Sequence, residues 1–350
     1  MARRLVVVGA GPIGLAAAIG ALDRGFDVTV LEAGEVGASL RSWGATKFFT
    51  PLRMNVHHAI DDDSLLTGPE YIEHVLVPLA AKLNVKTNTR VVSITRRGLT
   101  RTDYAGHPLR AEKPFRIFTS TDEVFEFDVV LDATGSALPI QLHARGAGRA
   151  SMIRTLGELD ARKNDLRGKR VLVAGHGHSA ANALLVLRDA GAEITWAVRT
   201  GNRNPCEEIA NDPLPERQRV VAAANALAQT IRVERRASIE SIDGTTVQLT
   251  GGRSVEADPI VAMTGYRPAN DFISELALET SPVSEGGARL YRAISNITDC
   301  LCVPKLAKED FASGEPNYFF IGARAYGRSR TFLLQTGFAQ VETILESLDD

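Results

Sequence analysis

Gly9-Ala10-Gly11-Pro12-Ile13-Gly14 follows the apolar run Leu5-Val6-Val7-Val8 and opens a helix-forming stretch at 12–22. An apolar strand that turns on glycine directly into a helix makes a cradle for a dinucleotide pyrophosphate. The first glycine permits the tight turn, the second lets backbone approach the phosphates, and the third lets helix pack close to strand. The helix N-terminus adds unpaired N–H groups and partial positive charge. Residues 28–31 read as the next strand. Glu32 closes that strand, placed to accept hydrogen bonds from both hydroxyls of a ribose. Pro12 and Ile13 fall in the first helical turn, where proline is tolerated. Together these residues predict one βαβ unit.

The order recurs. Residues 170–174 read as a strand, Gly175-His176-Gly177-His178-Ser179-Ala180 as a second glycine turn with alanine in third place, 179–190 as a helix and 194–198 as a strand. This second strand ends in Arg199, with Arg203 four residues on, instead of an acid. A carboxylate repels a 2′-phosphate and a guanidinium binds one, so the charge reversal favours NADPH over NADH. The alternative is that both arginines are merely solvated. His176 and His178 are either pyrophosphate donors or plain loop residues. Between the turns, 90–94, 115–119 and 124–131 read as an antiparallel meander, with strand-like 231–233, 246–249 and 260–263 in the second half. Each half closes on Thr-Gly, at Thr134-Gly135 and Thr264-Gly265. Residues 317–321 read as a further strand, 322–330 as a loop and 332–348 as a closing amphipathic helix.

The expected architecture is α/β: two Rossmann-like, doubly wound dinucleotide-binding domains, the second inserted in the first. The first covers 1–155 and 285–350, the second 156–284. A chain of 350 residues suits about two domains. Forty Lys+Arg against 42 Asp+Glu, dispersed, leave no electrostatic footprint for nucleic acid or an anionic membrane. Three cysteines exclude a disulfide scaffold, and 44% hydrophobic residues exclude disorder. The run 5–22 imitates a signal peptide or membrane span, but Gly9, Gly11, Pro12, Gly14 and Gly20 break it. A cytoplasmic protein acting on a small molecule is expected, with a homodimer the default assembly. The histidine pairs lack zinc spacing, so no metal is expected.

Both glycine turns, Glu32, the Thr-Gly strand ends and the closing segment resemble the two-dinucleotide-binding-domain flavoproteins. These include thioredoxin reductases, bacillithiol disulfide reductase and flavin-containing monooxygenases, and the resemblance covers nearly the whole chain. It implies FAD on the first unit, at Gly9, Gly11, Gly14, Glu32, Arg41 and Gly135, and NADPH on the second. It further implies that Gly322 and the start of the closing helix, Gln335 and Thr336, meet the flavin. The family ends its last strand in Gly-Asp; here Ala323 replaces the acid, with Arg324 beside it as a different phosphate contact.

Specific function lies in what reoxidises the flavin. Thioredoxin reductases carry Cys-x-x-Cys, which this chain lacks, and bacillithiol disulfide reductase has a cysteine in its first glycine turn, where Ile13 stands. Cys206 sits beside Glu207 and Glu208, which would raise its pKa. Cys300 and Cys302, two apart, would share a face on an extended strand. Monooxygenases usually show Phe-x-Gly-x-x-x-His before the second turn; 146–156 does not. NADPH-driven monooxygenation or substrate reduction therefore leads, with a Cys300/Cys302 thiol-disulfide enzyme and a non-catalytic redox sensor as alternatives. The stretch 43–58 is rich in aromatic and polar side chains: Trp43, Phe48 and Phe49 would wall the flavin while Arg53, Asn55 or His57 orients substrate. A packed connecting loop is the competing reading.

Overall fold

The computed structural model describes residues 2–349. Five parallel strands form the first sheet, in the order Tyr318–Phe320, Val129–Asp132, Arg4–Val8, Asp27–Leu31 and Val85–Lys86. Its central strand is covered on both faces, which is why Leu5 to Val8 is an unbroken apolar run. The run that imitated a membrane span is divided between this strand and the helix Pro12–Asp23. Among the described residues no helix is long and apolar enough to cross a membrane. The closing helix, Leu334–Asp349, lies along Pro12–Asp23 in the same direction. A methyl group on Gly337 would meet Ile13, and one on Gly20 would meet Leu345. Arg24 joins their far ends through Glu342 and Asp349.

The second sheet is also five-stranded and parallel: Arg232–Arg235, Glu193–Val198, Arg170–Ala174, Ile260–Ala262 and Met152–Ile153. Its edge strand Met152–Ile153 lies just ahead of position 155, where the sequence suggested a boundary. Each sheet is accompanied by a three-stranded antiparallel meander. The first is Val91–Arg96, Phe115–Thr119 and Val124–Phe127; the second is Ile239–Asp243, Thr246–Leu249 and Arg253–Glu256.

Several sequence expectations shift. The apolar stretch 124–131 is two strands broken at Asp128, whose carboxylate accepts the Arg4 N–H at 2.8 Å and so ends the meander against the parallel sheet. The stretches near 232 and 260 belong to the parallel sheet, while strands 239–243 and 253–256, with their polar outer faces, were missed. The helix Pro215–Leu227 was missed as well, because polar Arg217, Gln218 and Arg219 interrupt its apolar pattern. The segment 322–330 contains the short helix Ala323–Tyr326.

Three wholly buried charges tie the first meander to the closing segment. Glu315 Oε1 accepts from Arg96 Nε and Arg110 Nε, both at 2.9 Å. Its Oε2 accepts from Arg110 Nη2 at 2.8 Å and from the Ala277 N–H at 2.9 Å. The Arg96 guanidinium also lies 3.5 Å from the Phe115 ring centroid, giving it a second stabilising partner. Burial alone would raise the Glu315 pKa, but the bonds from Arg110, Ala277 and Arg96 outweigh it and hold the group below its usual value. A depressed folded-state pKa stabilises fully above the unfolded value near 4.5 and is lost as pH falls through the folded one. Glu315→Gln strands two buried guanidinium groups and is expected to cost about 3–5 kcal/mol in urea unfolding at pH 7. The variant's disadvantage should shrink as both proteins are acidified below pH 4.5; a loss under 1 kcal/mol at neutral pH would contradict the assignment.

Candidate functional site

The carboxyl ends of both sheets carry the glycine turns, and the three glycines of the first have separable reasons. Gly9 has φ +109°, and a Cβ there would lie 2.7 Å from the Ala133 carbonyl oxygen. A Cβ on Gly14 would lie 2.1 Å from the Gly9 carbonyl oxygen, so the third glycine is a packing requirement. A Cβ on Gly11 would meet nothing within 4 Å, leaving an open cradle at the start of the helix. Glu32 faces this turn, with the Ala10 N–H donating to Oε2 at 2.7 Å and the Gly34 N–H to Oε1 at 2.9 Å. Each oxygen keeps a lone pair for a further donor. Gly135, at φ +71°, also borders open space, while Arg41 ends the short helix Ala38–Arg41 with its side chain exposed.

The second turn repeats the geometry. Gly175 has φ +123° and would place a Cβ 2.2 Å from the Met263 carbonyl oxygen, and Gly177 again faces open space. Ala180 is buried in third place, so this helix tolerates a methyl group where the first does not. Trp196, also buried, donates its indole N–H to the Gly175 carbonyl at 2.7 Å and fixes the turn from beneath. Ser179 follows in the first helical turn. Partial burial, then the charges of Arg199 and Arg330, push the His176 pKa down; partial burial, then Arg217 and Arg330, do the same to His178. Both rings are therefore neutral donors or acceptors at pH 7. Arg199 and Arg203 are exposed, and Arg203 Nε donates to Gln229 Oε1 at 3.3 Å.

Ile13, read from the sequence as evidence against a thiol in the first turn, has a structural task. Its side chain fills the space left by two glycines, Gly322 and Gly337; a Cβ on either would come within 3.0 Å of it. Gly322 donates to Gln340 Oε1 at 2.9 Å, so the last strand, the first turn and the closing helix lock together. Thr336 Oγ1 bonds both the N–H and the carbonyl of Leu333 and caps the helix start, while Gln335 is exposed beside it. The suggested phosphate contact from Arg324 is corrected. Arg324 is wholly buried, with its guanidinium committed to Asp132, Asn270 and the Glu285 carbonyl.

The loop residues Arg53, Asn55 and His57 do not converge. Arg53 is exposed and pairs with Asp63 at 3.0 Å. Asn55 is buried with its amide bonded to the Thr50 hydroxyl and carbonyl, and its own carbonyl accepts from the Tyr71 hydroxyl, so it shapes the loop. His57 is exposed between His58 and Phe338 of the closing helix; partial burial and then His58 lower its pKa, with Asp23 opposing. Trp43, Phe48 and Tyr71 form one ring cluster, with successive centroids 4.9 and 5.1 Å apart. Phe49 turns away from it and meets His178 edge-on at 5.2 Å, linking the loop to the second turn.

The cysteines also differ from expectation. Cys206 is pushed up to about 11 by burial, not by its acidic neighbours. Cys300–Cys302 is a 3₁₀ turn, in which residues two apart diverge, and the two do not share a face. Cys300 accepts from Arg217 Nη1 at 3.4 Å, and Cys302 is exposed. A cleft of about 760 Å³ lies between His178, the loop 203–212 and the helix Pro215–Leu227; a second, of about 470 Å³, lies beside Gln335 and Thr336. Sequence reading missed Arg217, which pairs with Asp212 at 2.6 Å in the first cleft; only the helix placed it there.

Residues 6–286 match the family model of pyridine nucleotide-disulphide oxidoreductases. The chain belongs to that family. Among solved structures it is similar to bacillithiol disulfide reductase from Staphylococcus aureus, with TM-score 0.75 and 20% identity over 99% of this chain and 98% of that one. It is similar as well to thioredoxin reductase from T. acidophilum (0.69, 18%, 99% and 100%) and to a doubly substituted flavin monooxygenase from Stenotrophomonas maltophilia (0.70, 18%, 99% and 98%). At these identities the shared property is the fold of two dinucleotide-binding units. No curated protein sequence matches the chain significantly.

The glycine geometry gives a direct test. Gly9→Ala adds a methyl group against backbone at a left-handed φ and is expected to lower stability by about 1–3 kcal/mol. Gly11→Ala meets open space and, with both proteins compared free of bound cofactor, should leave the thermal midpoint within about 2 °C of wild type. Equal losses in the two variants would contradict the roles assigned to them.

Proposed function

We propose that the chain is an FAD-dependent NADPH oxidoreductase acting on a small molecule, with FAD on the first turn (1–155 and 285–350) and NADPH on the second (156–284). The observation that carries this reading is the pair of matched cradles, each with a second glycine facing open space at a helix N-terminus. The first is paired with the Glu32 carboxylate and the second with Arg199 and Arg203. The chemistry FAD supplies when bound is acceptance of hydride from NADPH and delivery of electrons to oxygen or to a substrate.

The protein's own contribution is position and exclusion. The N–H groups at Pro12–Asp23 and His178–Ala190 would hold the two pyrophosphates, and Glu32 the adenosine ribose of FAD. Gln335 and Thr336, at the start of the closing helix, would face the flavin pyrimidine with the positive end of the helix dipole. Trp43 and Phe48 would exclude water from one side. Neutral His178 beside Phe49 sits where the two units meet, and both clefts have the size of a small-molecule site.

Divergent Cys300 and Cys302 and the packed Ile13 favour oxygen or a direct substrate over a dithiol as electron acceptor. Purified protein is expected to show flavin absorption that bleaches anaerobically on NADPH addition and returns in air. Gly11→Ala should fold and carry less flavin. A Cys300→Ser, Cys302→Ser double variant should bleach and recover like wild type. FAD-replete protein that NADPH leaves oxidised would overturn the proposal, and loss of recovery in the double serine variant would restore the thiol-disulfide reading.

A further inference from the structure

The loop that leaves the second sheet at Arg199 is met by a second basic segment that sequence reading did not connect with it. Arg235 ends the neighbouring strand, and Arg236 follows at φ +50°, a left-handed conformation uncommon for a side chain of this size. The Arg236 N–H donates to the Thr200 carbonyl at 3.1 Å, and its guanidinium lies against Gly201. A Cβ on Gly201 would be 2.7 Å from Arg236 Nε and 3.3 Å from Nη2. Gly201 does not adopt a left-handed φ, and the space a Cβ would take there is occupied by the Arg236 guanidinium.

Arg235 donates from Nε to the Asn202 carbonyl at 3.0 Å and from Nη2 to the Arg203 carbonyl at 2.9 Å, which fixes the backbone that carries Arg203. Arg253 in turn holds the carbonyls of Arg235 and Arg236. Neighbouring Arg232 and Arg253 both spend their charge on Glu234. Among the described residues no ion pair neutralises Arg199, Arg203, Arg235 or Arg236. The ends of two neighbouring strands thus carry four arginines that no ion pair neutralises, with the Arg236 guanidinium lying against Gly201, between Arg199 and Arg203 along the chain.

We propose that Arg236 is the second arm of a clamp for the 2′-phosphate of NADPH, opposite Arg199 and Arg203, and that Arg235 is a positioning residue for the arm carrying Arg203. This rests on the reading of the second turn as a pyridine-nucleotide site. Flat guanidinium groups approaching from two sides satisfy a phosphate's several acceptors better than one lysine would.

The test uses the purified holoprotein and two probes, 2′,5′-ADP and 5′-AMP, titrated by calorimetry at two salt concentrations. Wild type is expected to bind 2′,5′-ADP about tenfold or more tightly than 5′-AMP, with the preference falling as salt rises. Arg236→Ala should remove most of that ratio while leaving 5′-AMP affinity and the melting curve unchanged; Arg236→Lys should recover only part of it. Arg235→Ala should lower the ratio by a smaller factor. A wild-type preference that survives Arg236→Ala overturns the clamp and leaves NADPH selectivity to Arg199 and Arg203. No preference in wild type overturns both the clamp and the NADPH reading.

Discussion

Asp132 lies wholly buried at the end of the strand Val129–Asp132, where its carboxylate receives Arg324 Nε at 2.8 Å, the Tyr318 hydroxyl at 2.9 Å and the Thr134 hydroxyl at 2.6 Å. An unpaired carboxylate there would be strongly unfavourable, so Arg324 has to be buried with it. Arg324's remaining N–H groups then reach Asn270 and the Glu285 carbonyl, drawing in the chain as it returns from the second unit. Burial, and after it the charge of Asp132, keep the Tyr318 hydroxyl protonated and a donor. One carboxylate thus gathers three distant segments at the strand end that lies against Gly9.

That arrangement bears on Ala323, which stands where the resemblance to two-dinucleotide-domain flavoproteins leads to an acid being expected. With Ala323 in place of the acid, the following Arg324 faces inward to Asp132 instead of outward to a phosphate. The closing segment is held by Gln340, which bonds Gly322 N–H and the Phe320 carbonyl, and by Ile13 between two glycines. Local chemistry at the first turn is therefore packing chemistry as well. Isoleucine carries no nucleophilic atom, and its branched side chain fills the space beside Gly322 and Gly337.

The two halves solve one problem with different tolerances. In both, a first glycine at high φ passes beneath the carbonyl of the partner strand's end, Ala133 in one and Met263 in the other. The first helix then approaches so closely that Gly14 is obligatory, whereas the second accommodates Ala180. Contacts between the units include Phe49 on His178, the Gly157 N–H on the Ser42 carbonyl at 2.7 Å, and Arg217 near Asp299 and Cys300. The first of these brings the aromatic loop to the second turn.

The two glycine turns, Glu32, the charge reversal at Arg199 and the repeated order were legible in the sequence because each depends on residues close along the chain. Strand, turn and helix are local, and their glycines are required by backbone contacts that recur in any such unit. The fate of the loop side chains was decided only by the tertiary structure. Asn55 turned inward because Thr50 and Tyr71 close around it, Cys300 and Cys302 diverged because their segment coils, and Arg324 was buried by an acid 192 positions away. The buried Glu315 pairings and the approach of Arg236 to Gly201 likewise join residues far apart in the chain, and composition or spacing carries no record of which distant charge a side chain will meet.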